Sequence, residues 1–453
     1  MQIVHTLAEH WQTIRLSFYN QKLSSACHAR HALADHAKDA AMSTPRYYHP
    51  DYRQAEVSAI VEALDQGQSV SIIGPPSVGK TNLLRYLDQE RLTPNDPASP
   101  WSRFAPRTAQ HGPIIVINVD PNALLPALPS AQGDIAARAW PGLELLIHRT
   151  TITPQLYPVY QPAEGQEPDP ALSERIARLQ AHFENAHPDV TDFEDHLHAH
   201  LALRHLESIL DATLTGRRLL GRPIRIAYLM DEFDRLLDTM PNYFFVALRS
   251  IRDRFKYQVM FATFTRNSLP LLAGGRLPVL EPFIELFYDH VVWLKPFGDD
   301  DAWRMVEQLE KRSVSKDDYP LGLLIRATGG FAGLMRAGFQ HADKLAAIQA
   351  QSYPRAVELA AARLSAEPNV QAECRTILRA LAANEIATLY DAAQDKRDLN
   401  QTLVDELTAK SLLQPTDDGQ GLRVHPPVLA AYIRSHPTPP EPLPPAPPPT
   451  LPE

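Results

Sequence analysis

Val70-Ser-Ile-Ile-Gly-Pro-Pro-Ser-Val-Gly-Lys-Thr-Asn82 decides the fold. The apolar run Val70–Ile73 enters a loop in which Gly74 and Gly79-Lys80-Thr81 keep the spacing G-x-x-x-x-G-K-[ST]. Glycines let the backbone curl around a polyphosphate so that successive N–H groups point inward. A helix starting near Lys80 adds the positive end of its dipole, and Leu83, Leu84 and Leu87 supply its apolar stripe. In that geometry Gly74, Pro75, Pro76, Ser77, Val78, Gly79, Lys80, Thr81 and Asn82 line the phosphates. Lys80 reaches the terminal phosphate oxygens and the Thr81 hydroxyl ligates Mg²⁺. A strand, this loop and a helix in that order predict a nucleotide binder, with ATP and Mg²⁺ as the ligands.

Outward from the loop, Arg53–Leu64 reads as an amphipathic helix leading into the first strand. Residues 113–120 and 223–230 are near-continuous apolar runs, as in strands buried on both faces of a parallel sheet. Residues 257–265 and 290–294 supply two more strands. Strands alternating with helices after such a loop predict an α/β, doubly wound parallel sheet. Strand signals stop at Asp299, and helical patterns at 302–312, 321–327 and 333–348 predict an all-helical lid. Residues 371–435 show three short helical patterns, then strand-like 413–415 and 422–424 around an Asp418-Gly419 turn, and a last helix. That order predicts a winged helix-turn-helix unit. The expected domains are a helical segment at 1–45, an ATPase core at 46–295, a lid at 296–365, a winged unit at 366–435 and a proline-rich tail at 436–453. The core carries a helical, proline-punctuated insertion at 121–220.

The chain has 453 residues, enough for two to four domains, and a formal net charge of −9. That balance argues against general affinity for nucleic acid or anionic membranes. Cys27 and Cys374 offer no disulfide framework and suit a reducing cytosol. No apolar run is long enough to cross a bilayer, and residues 1–10 do not read as a secretory signal. A cytoplasmic protein is expected.

The second half of the site follows the apolar run Ile224–Met230 and opens with Asp231-Glu232. A strand end delivers Asp231 to the phosphate loop, where it holds Mg²⁺, and sets Glu232 to polarise the attacking water. Asp234 reads as a solvated acid on the following helix. The next strand ends in Thr265-Arg266-Asn267. Thr265 is placed there to sense the terminal phosphate, and Arg266 either neutralises transition-state charge or caps the sheet edge.

The phosphate loop, Asp231-Glu-Phe-Asp234 and Phe264-Thr-Arg266 resemble the AAA+-related STAND class of signal-transduction ATPases. Ala327-Thr-Gly-Gly-Phe-Ala-Gly-Leu334 resembles that class's lid motif, with Ala332 at the position of its proline. Tyr48-His-Pro-Asp-Tyr-Arg-Gln-Ala-Glu56 resembles the box that cups adenine ahead of the loop, and also the entry segment of origin-recognition ATPases. The resemblance implies an ATPase with Tyr48 and Arg53 near the base and Arg336 as a lid sensor.

Three further features are weaker. Residues 371–435 hold seven Lys/Arg against nine Asp/Glu, a net charge of −2, where a DNA reader shows a basic face. Their expected recognition helix, Asn400–Leu412, has one lysine and two acids. His196, His198, His200 and His205 read as solvated helix histidines rather than metal ligands. Pro437–Pro452 contains PxxP registers that suit polyproline II docking, or a flexible terminus. The expected function is an ATP-hydrolysing switch acting on a protein partner or on itself. The alternatives are a DNA-binding initiator or transposition-type ATPase, and a scaffold that holds nucleotide without hydrolysing it.

Overall fold

A computed structural model describes residues 48–87, 112–123, 140–151, 153, 192–214, 218–219, 222–396, 398–416 and 421–439. The chain divides after Pro50 into two units, and the sheet and its helices belong to the second, Asp51–Glu453. The helices expected within 3–41 and 171–187, the Asp418-Gly419 turn and the PxxP registers beyond residue 439 lie outside the described residues.

Five parallel strands form the core sheet: β1 (Val70–Ile73), β2 (Ile114–Val119), β3 (Arg225–Met230), β4 (Val259–Thr265) and β5 (Val291–Trp293), in the spatial order β2-β3-β4-β1-β5. Every residue of β1, β3 and β4 is buried, which explains their continuous rather than alternating apolar sequence. Edge strand β5 is partly exposed along its length. The fold is α/β, a doubly wound parallel sheet with a helical C-terminal region. Because β1 lies between β4 and β5, the loop leaving β1 emerges beside the end of β4, with the end of β3 one strand further on. This is where a parallel sheet reverses strand order and opens a crevice.

Helices Trp140–Thr151 and Asp192–Leu214 pack against each other, the first also against β2, and its Thr150 shares a 2.8 Å hydrogen bond with the Tyr228 hydroxyl. On the adjacent helices Phe233, Phe245, Phe283 and Phe287 form a chain of ring contacts that reaches Phe261 on β4. Sharing so many buried rings, the helix after β3 has little freedom to rotate, so the carboxylates at its start are held in place.

The helical region begins at Asp299–Glu310 and continues with Tyr319–Thr328, Ala332–Phe339, Ala342–Leu345, Tyr353–Ser365 and Pro368–Arg379. The single helix expected over 333–348 is broken in two, with His341 off helical geometry at φ −115°, ψ 9°. Helices Ala383–Ala393 and Gln401–Ala409 follow, then antiparallel strands β6 (Leu413–Pro415) and β7 (Leu422–Val424) and helix Pro427–Ser435. That last helix returns to pack on Tyr353–Ser365. Caps fix the starts: the side chains of Asp318, Ser352 and Asn400 each accept a backbone N–H from the first turn.

Candidate functional site

The loop between β1 and the Lys80–Leu87 helix has the backbone its glycines suggest. Gly79 sits at φ +103°, and Ser77 takes a left-handed φ of +66° without being glycine. The Gly74 N–H donates to the Thr265 carbonyl at 3.1 Å, tying the loop's start to the end of β4. Lys80 turns back into the loop, donating to the Gly74 carbonyl at 2.5 Å and the Pro75 carbonyl at 3.1 Å. Burial pulls its pKa from 10.5 down to about 8, against the stabilising field of Asp234, Asp231 and Glu232. Thr81 is exposed in the first turn of the helix.

Three carboxylates converge on that ammonium. Asp231, at the end of β3, accepts the Glu232 N–H at 2.9 Å, and burial pushes its carboxyl pKa upward. Glu232 has φ +42° and an exposed side chain. Its Oε2 accepts from Arg235 at 3.2 Å and from the Asn122 amide at 3.4 Å, while Arg235 also donates to the Asn122 amide oxygen. Asn122 follows β2 and is itself held through its N–H, which donates to Asp120 at 2.8 Å.

Asp234 is a correction to the sequence reading. It is 4% exposed rather than solvated, and both its oxygens accept the Arg266 N–H, at 3.0 and 3.2 Å. Burial raises its pKa and that N–H works against the rise. Asp234 therefore joins the start of its helix to the end of β4 and faces Lys80. Arg266 lies half-buried with Nε 3.8 Å from the same carboxylate. Thr265 is fully buried, and its Oγ1 has no hydrogen-bond partner among the described residues.

Arg53 is packed against the phosphate loop. It is 3% exposed, donates to the Val78 carbonyl of the loop at 2.5 Å and to the Lys295 carbonyl at 2.6 Å, and lies 4.5 Å from the Phe297 ring centre. It braces the loop against residues 295–297. Tyr48 belongs to the stretch that ends at Pro50, outside the unit holding the loop. Arg336 is exposed and makes no ion pair with a described residue. His200 shares a 3.0 Å hydrogen bond with Tyr243, and among the described residues no group of three His, Cys, Asp or Glu is arranged to hold a metal.

The Gly329-Gly330 pair has a steric reason. Both are left-handed, at φ +58° and +77°. A Cβ on Gly329 would lie 2.4 Å from His425 Nε2, and one on Gly330 2.3 Å from the Phe297 carbonyl oxygen. Gly330 also accepts the Phe297 N–H at 2.9 Å, which closes the hinge between sheet and helical region.

The side chains fit a nucleoside triphosphate with Mg²⁺. Among the described residues the desolvated ammonium of Lys80 donates to backbone carbonyls alone and the Thr265 hydroxyl lacks a partner, while the hard oxygens of Thr81 and Asp231 suit magnesium.

No protein-family model matches the chain, and no curated protein matches it in sequence. Among solved structures, a Walker-type ATPase of Pyrococcus abyssi is similar at 12% identity, over 84% of this chain and 95% of that one, with a TM-score of 0.41. Cdc6p of Pyrobaculum aerophilum is similar at 11% identity over 86% and 96%, with a TM-score of 0.36. The Orc1 protein of Aeropyrum pernix, solved in complex with DNA, is similar at 13% identity over 86% and 95%, with a TM-score of 0.35. At such scores function has to be argued from the site itself.

Proposed function

We propose that this chain binds ATP with Mg²⁺ at Gly74–Thr81 and hydrolyses it as a switch of the AAA+/STAND kind. The observation that carries this is the convergence of Lys80, Asp231, Glu232, Asp234 and Arg266 at one end of the sheet, beside a loop with free curvature at Gly79. Bound Mg²⁺ would be held by Thr81 and Asp231, and supplies charge neutralisation on the phosphate oxygens. Lys80 exchanges two backbone carbonyls for phosphate oxygens, a stronger, charge-assisted pairing. Glu232 accepts the proton of the attacking water, which requires it to leave Asn122 and Arg235. Asp234 keeps Lys80 charged and holds the β4 end, so that Thr265 and Arg266 stay beside the reacting group.

The region after Pro368, read as a winged helix, is the element that nucleotide state would move. Its net charge suits a protein partner or a second copy better than nucleic acid. Residues 371–435 carry a net −2, and the one lysine of the expected recognition helix, Lys410, is 1% exposed and paired with the equally buried Glu385.

The test is a nucleotide-binding and phosphate-release assay on the full chain. Lys80→Ala should abolish ATP binding, and Glu232→Gln should bind ATP without turning it over.

A further inference from the structure

The phosphate loop is held from outside by residues far away in sequence. Ser77, the loop's non-glycine left-handed residue, is bonded through both main chain and side chain. Its carbonyl accepts the Gly333 N–H at 2.9 Å, and its hydroxyl donates to the carboxylate of Glu373, on helix Pro368–Arg379. Gly333 is wedged between them: a Cβ there would lie 2.7 Å from Glu373 Oε2, Ser77 Cβ and Ser77 Oγ alike. Ala332 closes on the same loop, its Cβ 3.6 Å from where a Cβ on Gly79 would stand. A fixed carboxylate thus sits on the loop whose remaining parts, Lys80 and the curled backbone, are built to receive an anion.

We propose that Glu373 is a built-in anionic latch: its carboxylate on Ser77 competes with the phosphates of an incoming nucleotide, and nucleotide binding expels it together with helix Pro368–Arg379. The inference rests on the nucleotide reading above and adds what the ligand must displace. Polyphosphate and carboxylate carry like charge, and their repulsion in a partly buried site is far stronger than in water. Ser77 cannot give its single hydroxyl hydrogen to both. Displacement is transmitted because Pro368–Arg379 is packed on Ala332–Phe339, the helix that carries Gly333, and also contacts the final helix Pro427–Ser435. A charge arriving at the loop is thereby felt in the C-terminal region.

Glu373→Gln keeps the shape and an oxygen acceptor for Ser77 but removes the charge. The test titrates the full chain and this variant with ATP, ADP and adenosine. It also follows hydrogen exchange over residues 368–379, with and without saturating ATP, in the unmodified chain. The variant should bind ATP about tenfold more tightly, gain less for ADP and nothing for uncharged adenosine. ATP should speed exchange over 368–379 in the unmodified chain, a readout that stands even if the variant folds poorly. Equal ATP affinity in the two proteins, or a gain equal for adenosine, overturns the latch while leaving the nucleotide site intact, as does exchange that ATP leaves unchanged. ATP binding by neither protein overturns the nucleotide reading and the latch together. Binding by the variant alone supports both.

Discussion

Lys410 was counted among the cations of a candidate recognition helix, yet it is 1% exposed and its ammonium lies 2.5 Å from Glu385 Oε1, which is equally buried. The same ammonium donates to the Asn267 side chain, one residue past Arg266. Lys410→Met fills similar space and removes the charge, leaving Glu385 buried without a cation. Uncompensated buried charges of this kind cost about 3–5 kcal/mol, whereas replacing both partners by neutral groups is often close to neutral. Glu385 has a second duty, since its Oε2 accepts the Ala382 N–H at 2.9 Å and caps helix Ala383–Ala393. Gln at 385 retains that acceptor, so Lys410→Met/Glu385→Gln should recover most of the loss, short of about 1 kcal/mol for the abandoned Asn267 oxygen. The assay is a double-mutant cycle of urea unfolding. A Lys410→Met variant within about 1 kcal/mol of the parent, or a double variant no more stable than the single, would refute the reasoning.

Gly330→Ala should destabilise by about 2 kcal/mol or more, because the residue is left-handed at φ +77° and its new Cβ meets the Phe297 carbonyl at 2.3 Å; an unaltered melting temperature would contradict this. His425 is half-buried against Gly329, and the desolvation there lowers its pKa from 6.5 to about 4. The folded state therefore binds fewer protons, so this group's contribution is complete above pH 6.5 and is lost as pH falls toward 4. Unfolding measured at pH 7 and pH 5 should show a drop about 2 kcal/mol smaller in His425→Asn than in the parent. Arg235→Ala removes one of the two donors that hold Glu232, both side chains being well exposed. Basal phosphate release should rise, by less than about fivefold, as suits a screened surface pair; a fall would show that Arg235 serves turnover instead.

Much of the sheet was readable because central strands such as Arg225–Met230 are buried along their whole length, so apolar residues run without interruption from 226 to 230. The loop was readable because phosphate cradles need glycine at set positions. What stayed hidden depended on contacts between distant residues. Asp234 looks like any acid in a first helical turn; only the fold shows it under Arg266. Ser77 and Glu373 are 296 residues apart, and Lys410 and Asn267 143 apart, so no local pattern links them. Arg53 was placed near the base through the resemblance of residues 48–56 to an adenine-cupping box, and no local pattern shows that its guanidinium donates to the Val78 and Lys295 carbonyls. Asn122 carried no signal at all, since an amide after a strand is ordinary loop composition.

The most direct test of the central claim measures ATP binding and phosphate release side by side for the parent, Lys80→Ala and Glu232→Gln. The account predicts binding and turnover in the parent, neither in Lys80→Ala, and binding without turnover in Glu232→Gln. Undiminished hydrolysis in Glu232→Gln, or ATP affinity unchanged in Lys80→Ala, would contradict it.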